Sequence, residues 1–568
     1  MGNPLTKSNM DQIYGLFMIS MCFSVGFVLN GSLVEGEKLS LLVETTHGPV
    51  QGTRLGDCDV FWGIPYAQPP VGDLRWKSPQ TLQEWSPEIL QANSKPPGCV
   101  QVCDDVSYAC PQETSEDCLF LNIYRPTTPR SDRPLPVMVF LHGGNFRAAS
   151  CSGSVYDGRL LAPIIDSIVV CVEYRLGALG FLYLESDPET GEKIHGNFGI
   201  EDQTAALKFL KNNLKNFGGD PNRITLAGQS AGAESISIHL ASPEHIDLFD
   251  QVILFSDPFA VPLKTPTDSN VLGLHFASVA GCENGSFSCL RDQAASDIAK
   301  ASHESISFLV NPQKAFQLFQ PWGPTVRVQP VTNFEMGLNA KKPIIMGSLG
   351  EEARIFVYDL FKDPLPADFF LMYLTILIPG EADGIRQHYT LSPNISDVRD
   401  IISSLVTDYL FTCSIRHVAK TIFEQGEKNV FSYIFDHPFS FEEVWERFTA
   451  CYGHSCHGGD IPFIMLSAPL AGFEYTEEEN ELINKYWTYL SNFIHSGNPN
   501  KRKEGADVSQ ELLQWPEVER TSGHTSTMVF SKAGDAYVKQ DMNSAICQYW
   551  DRVGYHGIAN INRRILNI

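Results

Sequence analysis

Basic charge is scarce in this chain. Across 568 residues, 42 Lys and Arg face 66 Asp and Glu, giving a formal net charge of −24 and a pI near 5.0. Such an acidic surface offers phosphates no attractive field, so no nucleic-acid partner is expected. Solubility through self-repulsion is the ordinary meaning of this charge. Long apolar runs are nearly missing too: only residues 13–29 approach the length of a membrane span. Paired C-x-x-C units are absent, which argues against structural zinc, and no metal site or cofactor is expected. No internal repeat or low-complexity tract is found, which removes solenoids, propellers and disordered tails.

The apolar run at residues 13–29 follows Lys7 and is flanked by small residues at Ser24, Gly26, Gly31 and Ser32. Residues 1–31 therefore read as a secretory signal peptide, with an uncleaved signal anchor as the alternative. Membrane association is expected only in the second case. Fourteen cysteines fit an oxidising compartment, as do glycosylation sequons at Asn30, Asn284 and Asn394. The hydrophobic content of 43% gives residues 32–568 ample core.

Between about residues 40 and 260 strand-like and helical runs alternate. Residues 135–141 and 168–174 are short, nearly continuous apolar stretches, as strands covered on both faces should be. Residues 203–216 carry Ala206, Leu207, Leu210 and Leu214 at helical spacing. Further strands are expected at 343–346 and 429–434. Strand, helix, strand in this order implies an α/β fold with one large, mostly parallel sheet. The greater helix content after residue 260 reads as insertions into that single domain, residues 32–568.

Gly228-Gln229-Ser230-Ala231-Gly232 lies between a strand-like run, 222–227, and a helix-like one, 234–240. A G-x-S-x-G so placed is a nucleophile elbow, a tight turn that lifts the serine hydroxyl clear of the backbone. A serine is a weak nucleophile at neutral pH, so it needs a histidine base and an orienting acid, expected later in the chain in the order acid, then histidine. It also needs backbone N–H donors for the developing oxyanion. Ala231 supplies one, and the turn Leu141-His142-Gly143-Gly144-Asn145-Phe146 fits the place of the others. Spacing alone does not choose among fifteen histidines.

Several separated blocks resemble the type-B carboxylesterases, a family that includes cholinesterases and lipases of the α/β-hydrolase fold. They are Trp62-Gly63-Ile64-Pro65-Tyr66-Ala67, Ser115-Glu116-Asp117-Cys118-Leu119-Phe120-Leu121-Asn122-Ile123-Tyr124, Tyr174-Arg175-Leu176-Gly177 and Asn216-Phe217-Gly218-Gly219-Asp220-Pro221. The resemblance selects Glu352 in Gly350-Glu351-Glu352 as the triad acid, Glu351 being the neighbour it could be confused with. It selects His457 in Cys456-His457-Gly458-Gly459-Asp460 as the base, leaving His454 a loop residue and giving His142 a supporting hydrogen bond. It implies Gly144 and Asn145 as the further oxyanion donors, and a secreted serine carboxylesterase acting on small-molecule esters through Ser230, Glu352 and His457. A catalytically silent adhesion or storage protein and a lipase are the alternatives.

The same resemblance implies disulfides Cys99–Cys118, Cys282–Cys289 and Cys413–Cys547. Cys103–Cys110 and Cys451–Cys456 are expected as extra bridges of the crystal-protein-like branch. Cys58, Cys151 and Cys171 are left without partners, Cys171 reading as a buried strand residue. Four departures matter. No Trp stands between Cys99 and Cys118, Gln229 replaces the Glu that cholinesterases carry before the nucleophile, and Asn145 and Ala353 replace the glycines of many relatives. Acetylcholine is therefore not the expected substrate.

Overall fold

The seven strands of the central parallel sheet are built from runs too apolar to face water on either side. The computed structural model describes residues 40–555, apart from 130–132, 333–340, 379, 393, 504–511, 519–523 and 532–534. The signal-peptide expectation and Asn30 lie outside the described residues. Twelve strands form one continuous path: β1 (Ser40–Thr45), β2 (Gly48–Leu55), β3 (Cys58–Pro65), β4 (Phe120–Pro126), β5 (Leu135–Leu141), β6 (Ile168–Val172), β7 (Gly219–Gln229), β8 (Gln251–Phe255), β9 (Ile344–Leu349), β10 (Val430–Asp436), β11 (Ser526–Ser531) and β12 (Ala536–Gln540). Their spatial order is β1-β2-β3-β4-β6-β5-β7-β8-β9-β10-β11-β12, with Leu90–Gln91 pairing beside β2 as a thirteenth. Pairing from β6 through β11 is parallel, and antiparallel strands close both ends.

Alternation along the central strands sorts side chains into two cores. Val137, Val139 and Leu141 of β5 join one cluster with Leu207 and Leu210 of α1 (Phe198–Asn213) and Ile236 of α2 (Ala231–Ala241). Met138 and Phe140, one residue out of phase, join the other cluster with Tyr486, Leu490 and Phe493 of α4 (Glu477–Ser496). Each fully buried aliphatic or aromatic side chain contributes about 1.5–3 kcal/mol, so both faces of the sheet are paid cores. The helix expected at 203–216 begins earlier, at Phe198, and passes into a 3₁₀ turn, Leu214–Phe217. A short helix, α3 (Arg354–Leu360), follows β9.

All five expected disulfides are present, and a sixth corrects the reading of Cys151 and Cys171: they are bonded to each other. Cys171 is indeed a buried β6 residue. What sequence spacing does not reveal is that the chain after β5 folds back onto β6. Asn122 on neighbouring β4 donates to the Cys151 carbonyl at 3.2 Å, which holds that return in place. Cys58 is a free, buried thiol. Asn284 and Asn394 are both exposed.

Candidate active site

In a doubly covered parallel sheet the carboxyl ends of the strands form a common rim where loops can converge. The expected residues follow four such ends: the 142–146 turn leaves β5, Ser230 leaves β7, Glu352 follows β9, and His457 lies in the long loop after β10. β5 pairs with β7 and β9 with β10, so the four loops meet over the middle of the sheet.

Ser230 sits between β7 and α2 with φ 56° and ψ −123°, a conformation a non-glycine residue holds only when its surroundings force it. Its flanking residues show the force. A Cβ on Gly232 would lie 2.0 Å from the Leu141 carbonyl oxygen, and one on Gly228 would lie 2.6 Å from the Gly232 carbonyl carbon. Only glycine lets strand and helix approach this closely. Ala231 is the first residue of α2, so its N–H has no helical acceptor and is directed into the rim.

The turn after β5 is held from below. His142 is fully buried, stacks on Tyr174 with ring centroids 4.5 Å apart, and contacts the Gly143 carbonyl oxygen through Nδ1 at 3.0 Å. Tyr174 Oη donates to the His142 carbonyl at 2.7 Å. Gly144, Asn145 and Phe146 all take positive φ, at 84°, 58° and 56°. Asn tolerates the left-handed region better than most residues, and the Asn145 amide also donates to the Phe319 carbonyl at 2.6 Å. Gly144, Asn145, Ser230, Ala231 and His457 line one cavity of about 200 Å³.

Glu352 is sealed from solvent. One carboxylate oxygen accepts from Leu349 N–H at 2.8 Å and the other meets His457 Nδ1 at 2.6 Å. The half-buried neighbour Glu351 turns outward and pairs instead with His454 Nδ1 at 2.9 Å. Two acid–histidine pairs thus lie side by side, and only Glu352–His457 reaches the cavity. Phe356 and Phe411 flank the His457 ring with centroids 5.1 and 5.2 Å away. Asp460 lies buried three residues further on. Burial, and then the charge of Glu352, pushes its carboxyl up to about 7.

Gln229 is the residue whose place sequence reasoning missed. Its side-chain nitrogen stands 3.2 Å from His457 Nε2, so the ring nitrogen not bound by Glu352 is met by an amide. Among the described residues no hydrogen bond joins Ser230 Oγ to that ring. Active-site hydrogen bonds of unliganded enzymes commonly tighten only when substrate is bound. The signal available in the sequence was the replacement of Glu by Gln at this position.

Among the residues lining the cavity, Arg147 pairs with Asp104 at 2.5 Å and Arg447 with Asp359 at 3.4 Å. Among the described residues no group of three or more His, Cys, Asp or Glu is arranged to hold a metal ion. The disulfide Cys451–Cys456 ends at the residue before His457.

Residues 40–550 match the carboxylesterase family model. Among curated proteins, the cAMP-regulated D2 protein of Dictyostelium discoideum is 32% identical over 90% of this chain and 93% of its own length. The Crystal protein of the same organism is 32% identical over 98% of this chain and 99% of its own. Pyrethroid hydrolase Ces2e of Rattus norvegicus is 30% identical over 86% and 87%. Among solved structures, a thermophilic PNB esterase superposes with a TM-score of 0.71 at 28% identity, over 89% of this chain and 99% of that one. The architecture is the α/β-hydrolase fold.

Proposed function

This chain belongs to the carboxylesterase family, and from that premise we propose that it hydrolyses small carboxylic esters through an acyl-enzyme on Ser230. The observation that carries the reading is the 2.6 Å bond between buried Glu352 and His457, made at the wall of the cavity into which the strained Ser230 turn opens. Glu352 accepts a hydrogen bond from Nδ1–H, which keeps the proton on Nδ1 and leaves the Nε2 lone pair free to act as base. Substrate entry displaces the Gln229 amide from Nε2, and His457 takes the Ser230 proton as Oγ attacks the ester carbonyl. Gly144, Asn145 and Ala231 N–H groups receive the oxyanion. His457 then protonates the departing alcohol, and water attacks the acyl-enzyme through the same ring.

The cavity volume of about 200 Å³ is below the roughly 300–1,000 Å³ of pockets for drug-sized ligands, which favours short esters over long lipid chains. Six disulfides indicate an oxidising environment, and secretion after loss of residues 1–31 completes the proposal.

The test is turnover of p-nitrophenyl acetate together with stoichiometric labelling by an organophosphate. We expect one adduct per chain on Ser230, and a loss of at least about 10⁴-fold in kcat for Ser230→Ala and His457→Ala. An unlabelled, inert wild-type protein would instead establish the rival reading, a catalytically silent protein on the same fold. The name of the Crystal protein relative keeps that rival in view.

A further inference from the structure

Three polar side chains that take no proton in this chemistry converge on two consecutive residues of one loop. Gln320 Nε2 donates to the Glu234 carboxylate. Lys264 Nζ donates to the Gln320 main-chain carbonyl at 2.6 Å, and Asn145 Nδ2 donates to the Phe319 carbonyl at 2.6 Å. Glu234, Lys264 and Gln320 are only 3%, 4% and 4% exposed. Each partner is anchored to a different part of the rim. Glu234 lies one turn along α2 from the nucleophile, its N–H bonded to the Ser230 carbonyl at 2.9 Å. Asn145 belongs to the turn after β5, and the Lys264 carbonyl accepts at 2.9 Å from the N–H of Val326, six residues beyond Gln320.

Phe319 and Gln320 line the cavity beside Asn145, Pro258 and Val261. The Phe319 ring packs edge-on against Phe356, which in turn leans on His457. Burial pushes the Glu234 carboxyl up to about 8 and Lys264 down to about 8, so keeping these two groups out of water carries a desolvation cost that packed apolar residues would avoid. Here one accepts from and the other donates to the same neutral residue, so what their burial secures is the position of that residue.

We propose that Glu234, Lys264 and Asn145 are positioning residues that clamp the Phe319–Gln320 segment as a stiff wall, and that this wall sets the acyl length the cavity accepts. The inference rests on the esterase reading above. The alcohol oxygen must face His457 to receive its proton, and the carbonyl oxygen must face the N–H donors. The acyl chain is the part left to meet the wall. In a cavity of about 200 Å³ a fixed Gln320 side chain excludes long chains, whereas a released one yields to them.

The experiment measures kcat/KM of the full chain on p-nitrophenyl acetate, butyrate and hexanoate. Truncation in Gln320→Ala is expected to raise the hexanoate-to-acetate ratio by about tenfold, in the range one or two methylenes carry in an apolar pocket. Glu234→Ala frees the Gln320 amide and moves the ratio the same way by at least about threefold. Glu234→Gln keeps an acceptor oxygen and returns the ratio to within twofold of wild type, which a purely structural role for the charge would not do. Should Glu234→Ala fail to fold, Gln320→Ala and Glu234→Gln still decide. Ratios unchanged from wild type in Gln320→Ala, with the wild-type melting temperature retained, overturn the clamp and leave the esterase reading standing. A wild-type chain inert toward every ester overturns both.

Discussion

Gln229 stands where a carboxylate would sit against His457 in the cholinesterases that this chain otherwise resembles. Its amide meets Nε2 at 3.2 Å from a buried position, so a charge placed there would act on the imidazolium with little solvent between. For Gln229→Glu we expect the acid limb of the kcat/KM profile to move to higher pH by about one unit, because an adjacent anion favours the protonated ring. A profile that superposes on wild type would show that this side chain does not face the base. The serine was readable at this scale because its strained turn needs glycines on both sides, a requirement written into five consecutive residues. Glu352 against Glu351, and His457 against His454, were not readable from local sequence. The two acids differ only in which side of the rim they point to, and resemblance, not spacing, selected between them.

Strands declare themselves through apolar runs, and β5 spans the very residues expected of it, Leu135–Leu141. The loops after the strands declare little, and among them the histidine loop is held by unusual means. Cys451–Cys456 encloses a separation of 5 residues, inside which His454 is bound to Glu351 and Ser455 Oγ donates to Asp436 at 2.9 Å. Closing so short a loop stabilises the fold by only about 2 kcal/mol in the entropic model. Its consequence for geometry is larger, since Cys456 is bonded directly to His457. For Cys451→Ser/Cys456→Ser we expect a stability loss near that figure, and a fall in kcat of about tenfold to a hundredfold at temperatures where the variant stays folded. Chemical denaturation and steady-state kinetics measured side by side separate the two. An undiminished kcat would show that the strap does not hold the base. In the same core, α4 starts with a capping box: Thr476 accepts from Glu479 N–H at 3.2 Å while the Glu479 carboxylate accepts from Thr476 N–H at 2.8 Å. The same carboxylate holds Ser440 N–H at 2.7 Å, so this cap also anchors the start of the loop that ends at His457.

Across the whole molecule, two features govern stability. Cys413–Cys547 spans 134 residues and joins the helix just before β10, Cys413–Glu424, to the last described helix, Ser544–Val553. Its removal by Cys413→Ser/Cys547→Ser is expected to cost about 5 kcal/mol in the entropic model, more than twice the cost at Cys451–Cys456. Paired denaturant titrations check that order. The second feature is a buried pair at the end of α2, His239 in its last turn and His245 just after it, whose Nδ1 atoms lie 2.9 Å apart. Burial, and then each other's proximity, holds His239 well below 6.5, while burial and then Lys208 hold His245 at about 4. Both groups are depressed in the folded state, so the unfolded chain takes up protons first. Their contribution is whole above pH 6.5 and is lost as pH falls from 6.5 toward 4. In His239→Gln/His245→Asn the melting temperature relative to wild type should therefore rise steadily as pH is lowered through that window. A pH-independent difference would show that the pair is not neutral in the fold.

The sequence by itself determined the class of sheet, the strained Ser230 turn, five of the six disulfides and, through resemblance, which residues are proposed as acid and base. These are properties of runs, of local backbone demands and of motifs that travel as units along the chain. Only the tertiary structure decided that Cys151 closes onto Cys171, that Gln229 rather than Ser230 meets the base in the free protein, and that Glu234, Lys264 and Asn145 converge on one loop. Each of these joins residues on different strands and loops, and no local preference encodes where a chain crossing the rim of a sheet will set its side chains down.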